Sequence, residues 1–139
     1  MKLKKASQES MNEITKAFSG YQYEDTVGSL YYLCKVKKEI EAYMKGFALA
    51  GIKSGWLYTL SEKQEGYIMI SEPTSKISFL GMKDLIIGSV KGMGIKGAIQ
   101  FFKDMKSSGE SLENKLKKEN KKFIQIEMIV VKREYQNKG

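Results

Sequence analysis

The residues best suited to chemistry lie in the last seventeen positions of the chain, which read FIQIEMIVVKREYQNKG. An apolar, β-branched run predicts a buried strand from Phe123 to about Lys132. The polar segment Gln136-Asn137-Lys138-Gly139 follows, and its glycine lets the backbone approach a ligand closely. A strand that leads into such a turn presents backbone N–H groups to an anion. This end of the sequence therefore predicts a phosphate-binding turn.

Glu127 is a candidate general base in the middle of the same strand. By the two-residue period of a strand it shares a face with Gln125, Ile129 and Val131. A carboxylate among such neighbours could deprotonate an ammonium substrate, directly or through a water molecule. The alternative is a partly exposed glutamate paired with a lysine, and the sequence leaves both open.

The charge balance favours small polyanionic ligands over nucleic acid. The chain carries 24 Lys+Arg against 16 Asp+Glu, a net charge of +8, and Arg133 is its one arginine. Phosphate and base recognition in nucleic acids favours arginine forks, so a lysine-dominated surface is a weak signal for that partner. The lysine-rich segment 115–122 is predicted to be a solvated helix face. We expect no nucleic-acid partner.

The rare residue types exclude several classes of chemistry. The sequence has no histidine, which excludes Ser-His-Asp, Cys-His and His-metal sites within this chain. Cys34 is the single cysteine, so a disulfide framework and a thiolate zinc cluster are excluded as well. Cys34 lies on an apolar helix face and is predicted to be a small buried hydrophobe. No metal site is expected.

The sequence predicts a cytoplasmic location. The N-terminal MKLKKASQES has no apolar segment typical of a signal peptide. The most apolar window, 79–102, includes charged residues that make a bilayer crossing costly. An amphipathic contact with a membrane surface is the alternative there, but the many glycines favour packing over the sheet or a substrate cleft. We expect no membrane partner.

The secondary structure predicted from the sequence, which must position these residues, indicates an α+β fold in a single domain, 1–139. The expected order is β-α-α-β-β-α-α-β, and the hairpin in its centre implies antiparallel pairing with helices on the faces. The elements are a first edge strand at 1–6, a helix ending at Gly20, a helix at 26–50 with a break near Val36 and a cap at Gly51, strands at 54–60 and 66–71, two helices within 78–120, and the final strand.

The chain resembles the GNAT family of N-acetyltransferases. The resemblance is carried by Val131, Gln136 and Gly139, by the tripeptide Glu134-Tyr135-Gln136, and by this element order. In that family the fourth strand is followed by Gln/Arg-x-x-Gly-x-Gly/Ala. The resemblance implies a mixed, mainly antiparallel sheet flanked by helices and truncated after its fourth strand. It also implies a helical insertion at about 78–122. The chain would be the N-terminal portion of an acyltransferase domain, inactive when isolated.

The same resemblance implies a cofactor and a substrate class. Acetyl-CoA would pair its pantetheine arm with the backbone of Ile129, Val130 and Val131, and its pyrophosphate would lie against Gln136, Asn137, Lys138 and Gly139. The acceptor would be an amine of a small molecule or a peptide N-terminus. Tyr21 and Tyr23 would border its pocket, although aromatic residues near helix ends more often serve packing.

A non-catalytic role stays open beside the enzyme. The final strand would end the sheet as an unprotected apolar edge, which invites pairing with another chain. The alternative function is therefore a binding or assembly module that forms a homodimer through this edge.

Overall fold

A computed structural model describes residues 1–24, 33–34, 36–107 and 112–137, without the side chains of 21–24. Over these ranges the chain is a mixed α+β structure, as the sequence predicts. The helices are α1 (Gln8–Glu24), α2 (Lys37–Ser54), α3 (Phe79–Ser107) and α4 (Leu112–Lys118). The strands are β1 (Leu57–Thr59), β2 (Gly66–Ser71) and β3 (Gln125–Val131), and a 3-10 turn follows at Arg133–Tyr135.

The three strands form an antiparallel sheet in the order β1-β2-β3. The predicted hairpin is confirmed, with Tyr58 opposite Ile68. The predicted first strand at 1–6 is wrong in extent, because it is reduced to a single bridge between Lys2 and Tyr58. The Leu3 N–H donates to the Leu57 carbonyl at 2.8 Å, and the chain then turns into α1 at Ser7, whose Oγ accepts the Ser10 N–H. The pairing is short because the partner strand β1 has only three residues.

Two helix ends differ from the sequence prediction. The helix predicted to stop at Gly20 continues to Glu24. The cap predicted at Gly51 lies instead at Gly55, which takes the left-handed conformation with φ 72°. Gly51 lies inside the helix, and the end of the Met69 side chain occupies the space that a Cβ there would need. Its lack of a side chain therefore serves packing and not a cap. The predicted break near Val36 is confirmed, since Val36 is extended and α2 begins after it.

The core lies between one face of the sheet and helices α1 and α2. On the sheet side, Leu57, Tyr67 and Met69 are buried, because alternate residues of a strand point to the same face. The helices contribute apolar positions at helical spacing. These are Met11, Ile14, Phe18, Ile40, Tyr43 and Met44.

The opposite face of the sheet is apolar but uncovered among the described residues. Ile68 pairs with Ile129, and Ile70 pairs with Ile126. The side chains of Ile126 and Ile129 are 59% and 64% exposed.

Helix α3 packs on α2 through glycines. A Cβ added at Gly88 would lie 2.7 Å from the Ala42 carbonyl oxygen and 3.0 Å from the Gly46 Cα. Such distances mean that the two helix backbones are in direct contact. Gly94, with φ 72° and ψ 172°, interrupts α3 and divides it into two segments.

Candidate functional site

A cavity of about 510 Å³ opens between α1 and the end of β3. One wall is a face of α1, and the other is the last part of β3 with the turn behind it. The lining residues are Glu13, Lys16, Ala17, Gly20, Val130, Val131, Lys132, Arg133, Glu134 and Gln136. Because Ala17 and Gly20 carry small or no side chains, the helix leaves space where it passes the turn.

The backbone of β3 presents a free edge beside this cavity. The Lys132 N–H donates to the Glu65 carbonyl at 2.9 Å, towards β2. Alternate residues of an antiparallel ladder point their N–H and C=O groups to opposite sides. Val131 and Ile129 therefore direct their N–H and C=O groups away from β2. On that side no strand of the described chain pairs with them.

The turn after β3 is held by its own hydrogen bonds. The Gln136 Nε2 donates to the Val131 carbonyl at 2.9 Å, and the Tyr135 N–H donates to the Lys132 carbonyl at 2.9 Å. Asn137 follows with φ 59°, a left-handed conformation that asparagine tolerates better than most residues. The side chain of Gln136 thus ties the predicted phosphate-binding segment back onto the strand.

The electrostatics of the cavity are set by an ion pair in its lining. Lys132 Nζ donates to Glu13 Oε2 at 2.7 Å and lies 5.7 Å from the centre of the Tyr67 ring. Burial alone would lower the pKa of Lys132, but the hydrogen bond to Glu13 and the proximity of Tyr67 raise it overall. The pKa of Tyr67 is raised by burial, which outweighs the opposing effect of Lys132. Lys132 therefore keeps its charge, and the lining as a whole has one positive charge in excess.

The structure brings together some of the predicted cofactor residues. Val130, Val131 and Gln136 line the cavity, and the backbone of Ile129 lies on the adjoining free edge. Asn137 directly follows the lining. Lys138 and Gly139 lie outside the described residues, as do the side chains of Tyr21 and Tyr23, whose backbone forms the last turn of α1.

Glu127 lies apart from the cavity lining. A register shift between Met69 and Ile70 inserts Glu127 as the extra residue of a β-bulge. Its carboxylate accepts the Ser71 hydroxyl at 2.6 Å and the Gln125 amide at 3.2 Å, so it faces the covered side of the sheet. The predicted face shared with Gln125 is confirmed. The face shared with Ile129 and Val131 is wrong, because the bulge breaks the two-residue period.

Cys34 and Tyr43 form a buried, uncharged pair near this carboxylate. Cys34 is 4% exposed, which confirms its prediction as a small hydrophobe. Burial, reinforced by Glu39, raises the pKa of the Cys34 thiol to about 11. Burial, with the nearby Cys34 and Glu127, raises the pKa of Tyr43 to about 12. Both groups are protonated at neutral pH, so neither is a ready nucleophile.

The contribution of α1 to the cavity was not anticipated from charge or motif. The residues that α1 contributes are spaced by three or four positions, which places them on one face of a helix. They are Glu13, Lys16, Ala17 and Gly20. In the sequence, the only indication of this cavity wall was a helix face with a carboxylate, a lysine and two small residues.

Comparison of the chain with models of known protein families gave no match, and neither did comparisons with curated proteins and solved structures.

Proposed function

We propose that this chain is the N-terminal part of an acetyl-CoA-dependent N-acetyltransferase of the GNAT type. The observation that carries the proposal is the free edge of β3 next to the cavity. The edge offers the N–H groups of Ile129 and Val131 and the carbonyl of Ile129, whereas the Val131 carbonyl already accepts Gln136 Nε2. The turn at Lys132–Gln136 borders the same space. A ligand with an amide-containing arm and a diphosphate needs both of these features side by side.

The arrangement of the strands supports the same proposal. The N-terminal bridge, β1, β2 and β3 follow one another across the sheet in chain order, and α1 and α2 lie between the bridge and β1 in sequence. This order is compatible with the first half of a GNAT-type domain, but three strands and one bridge do not by themselves specify that topology.

The residues of the cavity fit the cofactor in two parts. The backbone of Ile129 to Val131 would pair with the amides of the pantetheine arm, and the segment from Gln136 to Gly139 would hold the pyrophosphate with backbone N–H groups. Lys16 and Arg133 add positive potential at the cavity wall.

The chemistry is transfer of an acetyl group to an amine. Acetyl-CoA supplies a thioester, and the products are an amide and the free thiol. The acceptor, a small-molecule amine or a peptide N-terminus, must lose a proton before it attacks, and Glu127 is the proposed acceptor of that proton through water. The backbone N–H groups at the free edge would stabilise the negative charge that develops on the carbonyl oxygen.

The charge reversal Lys16→Glu is expected to weaken CoA binding about 10-fold, because it places a negative charge next to the diphosphate. Isothermal titration of CoA into the protein expressed from its complete reading frame measures this change. Lys4→Glu is the matched control, since it alters the net charge equally in the exposed segment at the opposite edge of the sheet. Failure of the wild-type protein to bind CoA or acetyl-CoA would contradict the proposed function.

A second candidate function, assembly through the edge of β3, is favoured by the exposed isoleucines of that strand. An unpaired edge next to an uncovered apolar face is a template for a strand of a second copy.

If this pairing occurs, the wild-type chain sediments as a dimer and Ile129→Lys sediments as a monomer, because a lysine on the edge strand opposes pairing. Leu60→Lys is the matched control, because Leu60 is 66% exposed and lies outside the strand. A wild-type monomer at high concentration in sedimentation equilibrium would refute assembly.

A further inference from the structure

Helix α3 has two faces of different character. Gly81, Leu85 and Ser89 are buried at four-residue spacing on the side that packs against α2. The other side is exposed but apolar, and its members in the first segment are Phe79, Leu80, Met82, Ile86 and Ile87. We call these five residues the outer face of α3. Phe79 is 85% exposed and Leu80 58% exposed, which is unusual for large apolar side chains.

The charges around the outer face are almost all positive. Helix α3 contains five lysines and two aspartates. Asp84 forms an ion pair with Lys53, and Asp104 accepts the Gln100 amide at 2.7 Å. Lys83 and Lys91 are exposed on the side of the outer face, and the segment after Gly94 adds Lys96, Lys103 and Lys106, all exposed.

We infer that the outer face of α3 docks on the surface of an anionic lipid bilayer. Apolar side chains at the centre of a helix face with lysines around them are the pattern of an interfacial helix. The isoleucines and Phe79 would enter the acyl boundary, and lysine stems would extend so that their ammonium groups reach the lipid phosphates. The charge complementarity selects an anionic surface over a second copy of this chain, whose own face is equally basic.

The geometry favours docking in the plane of the bilayer over crossing it. Among the described residues, α3 is the one helix that is long and apolar enough to cross a bilayer. However, one side of α3 is committed to α2, and the kink at Gly94 interrupts its axis. From the sequence alone, packing within the protein was expected for 79–102. The structure differs because α2 covers only the glycine-rich side.

The test is cosedimentation with vesicles made of equal parts phosphatidylserine and phosphatidylcholine, compared with pure phosphatidylcholine. The protein is expected to bind the anionic vesicles, and binding should weaken as salt is added. The double variant Ile86→Gln/Ile87→Gln is expected to weaken binding about 10-fold or more, because both side chains leave the acyl boundary. The matched control is Ile124→Gln/Ile126→Gln, which changes two isoleucines that are 69% and 59% exposed outside α3.

The contribution of charge is tested with the double variant Lys83→Gln/Lys91→Gln. Its control is Lys4→Gln/Lys5→Gln, which removes the same net charge elsewhere. The first double variant is expected to reduce binding to the anionic vesicles more than the control does. Thermal unfolding by circular dichroism confirms that each variant is folded.

Three results would overturn the inference. They are no binding to anionic vesicles, equal loss in the outer-face and control variants, or a solution dimer that the outer-face variant dissociates while vesicles are not bound. Lipid binding by α3 is independent of any ligand in the cavity, so its failure leaves the proposed acetyltransferase untouched.

Discussion

Replacement of Gly88 by alanine is expected to lower the free energy of unfolding by roughly 1–3 kcal/mol, the range for an overpacked interior. Alanine is the better helix former by about 1 kcal/mol, so propensity alone predicts the opposite sign. The contact decides the outcome, because a Cβ at Gly88 meets the Ala42 carbonyl oxygen and the Gly46 backbone. Backbone atoms in a helix cannot move aside without separating α2 from α3.

Gly20→Ala is the matched control for this substitution. Gly20 lies within α1, and among the described residues nothing comes within 4 Å of a Cβ built there. We expect a gain of about 0.5–1 kcal/mol, the ordinary preference for alanine in a helix. Urea denaturation of the two variants beside the wild-type protein measures both changes. A stabilised Gly88→Ala would show that α2 and α3 do not touch as described.

The glycines of α3 illustrate what the sequence revealed only in part. Two helices were predicted within 78–120, but the interruption of α3 at Gly94 was not. The placement of glycines at 81, 88 and 92 is explained only by the facing helix, because each lies against the backbone or small side chains of α2. A pattern within one helix cannot specify which partner makes close approach necessary.

The three strands of the sheet were predicted at nearly their observed positions, whereas the first strand at 1–6 was not. The hairpin follows from local composition, since aromatic and β-branched residues flank a polar loop. The helix ends at Gly20 and Gly51 were predicted from glycine as a stop signal, yet both residues are helical. At Gly51 the glycine serves tertiary packing, because the Met69 side chain fills the space that a Cβ would need.

The segment from β3 into its turn was singled out from the sequence through its resemblance to the GNAT family. Val130, Val131 and Gln136 of that segment border one cavity. The opposite wall could not be predicted, because Lys16 and Ala17 reach the cavity only through the packing of α1 on the sheet. The bulge at Glu127 was also missed, since one extra residue in a strand leaves no mark in composition.

The substitution Glu127→Gln is expected to lower kcat for amine acetylation about 100-fold, the lower end of the effect of a general base. Bulges are frequent next to active sites because they redirect a side chain, and this one fixes a carboxylate between Ser71 and Gln125. Glutamine has the same shape and can still accept the Ser71 hydroxyl, so the fold should be retained. The affinity for CoA should not change, because Glu127 does not line the cavity.

The split between kcat and CoA affinity separates a catalytic from a structural role for Glu127. A general base acts on the chemical step, so the glutamine variant should lower kcat and leave the affinity for CoA unchanged. Glu62→Gln, in the exposed loop between β1 and β2, is the control and should keep the wild-type kcat. If Glu127→Gln instead retains full kcat and only lowers the free energy of unfolding, its carboxylate serves to hold Ser71. The proton would then leave the amine by another route, with the free edge of β3 still positioned to bind the thioester.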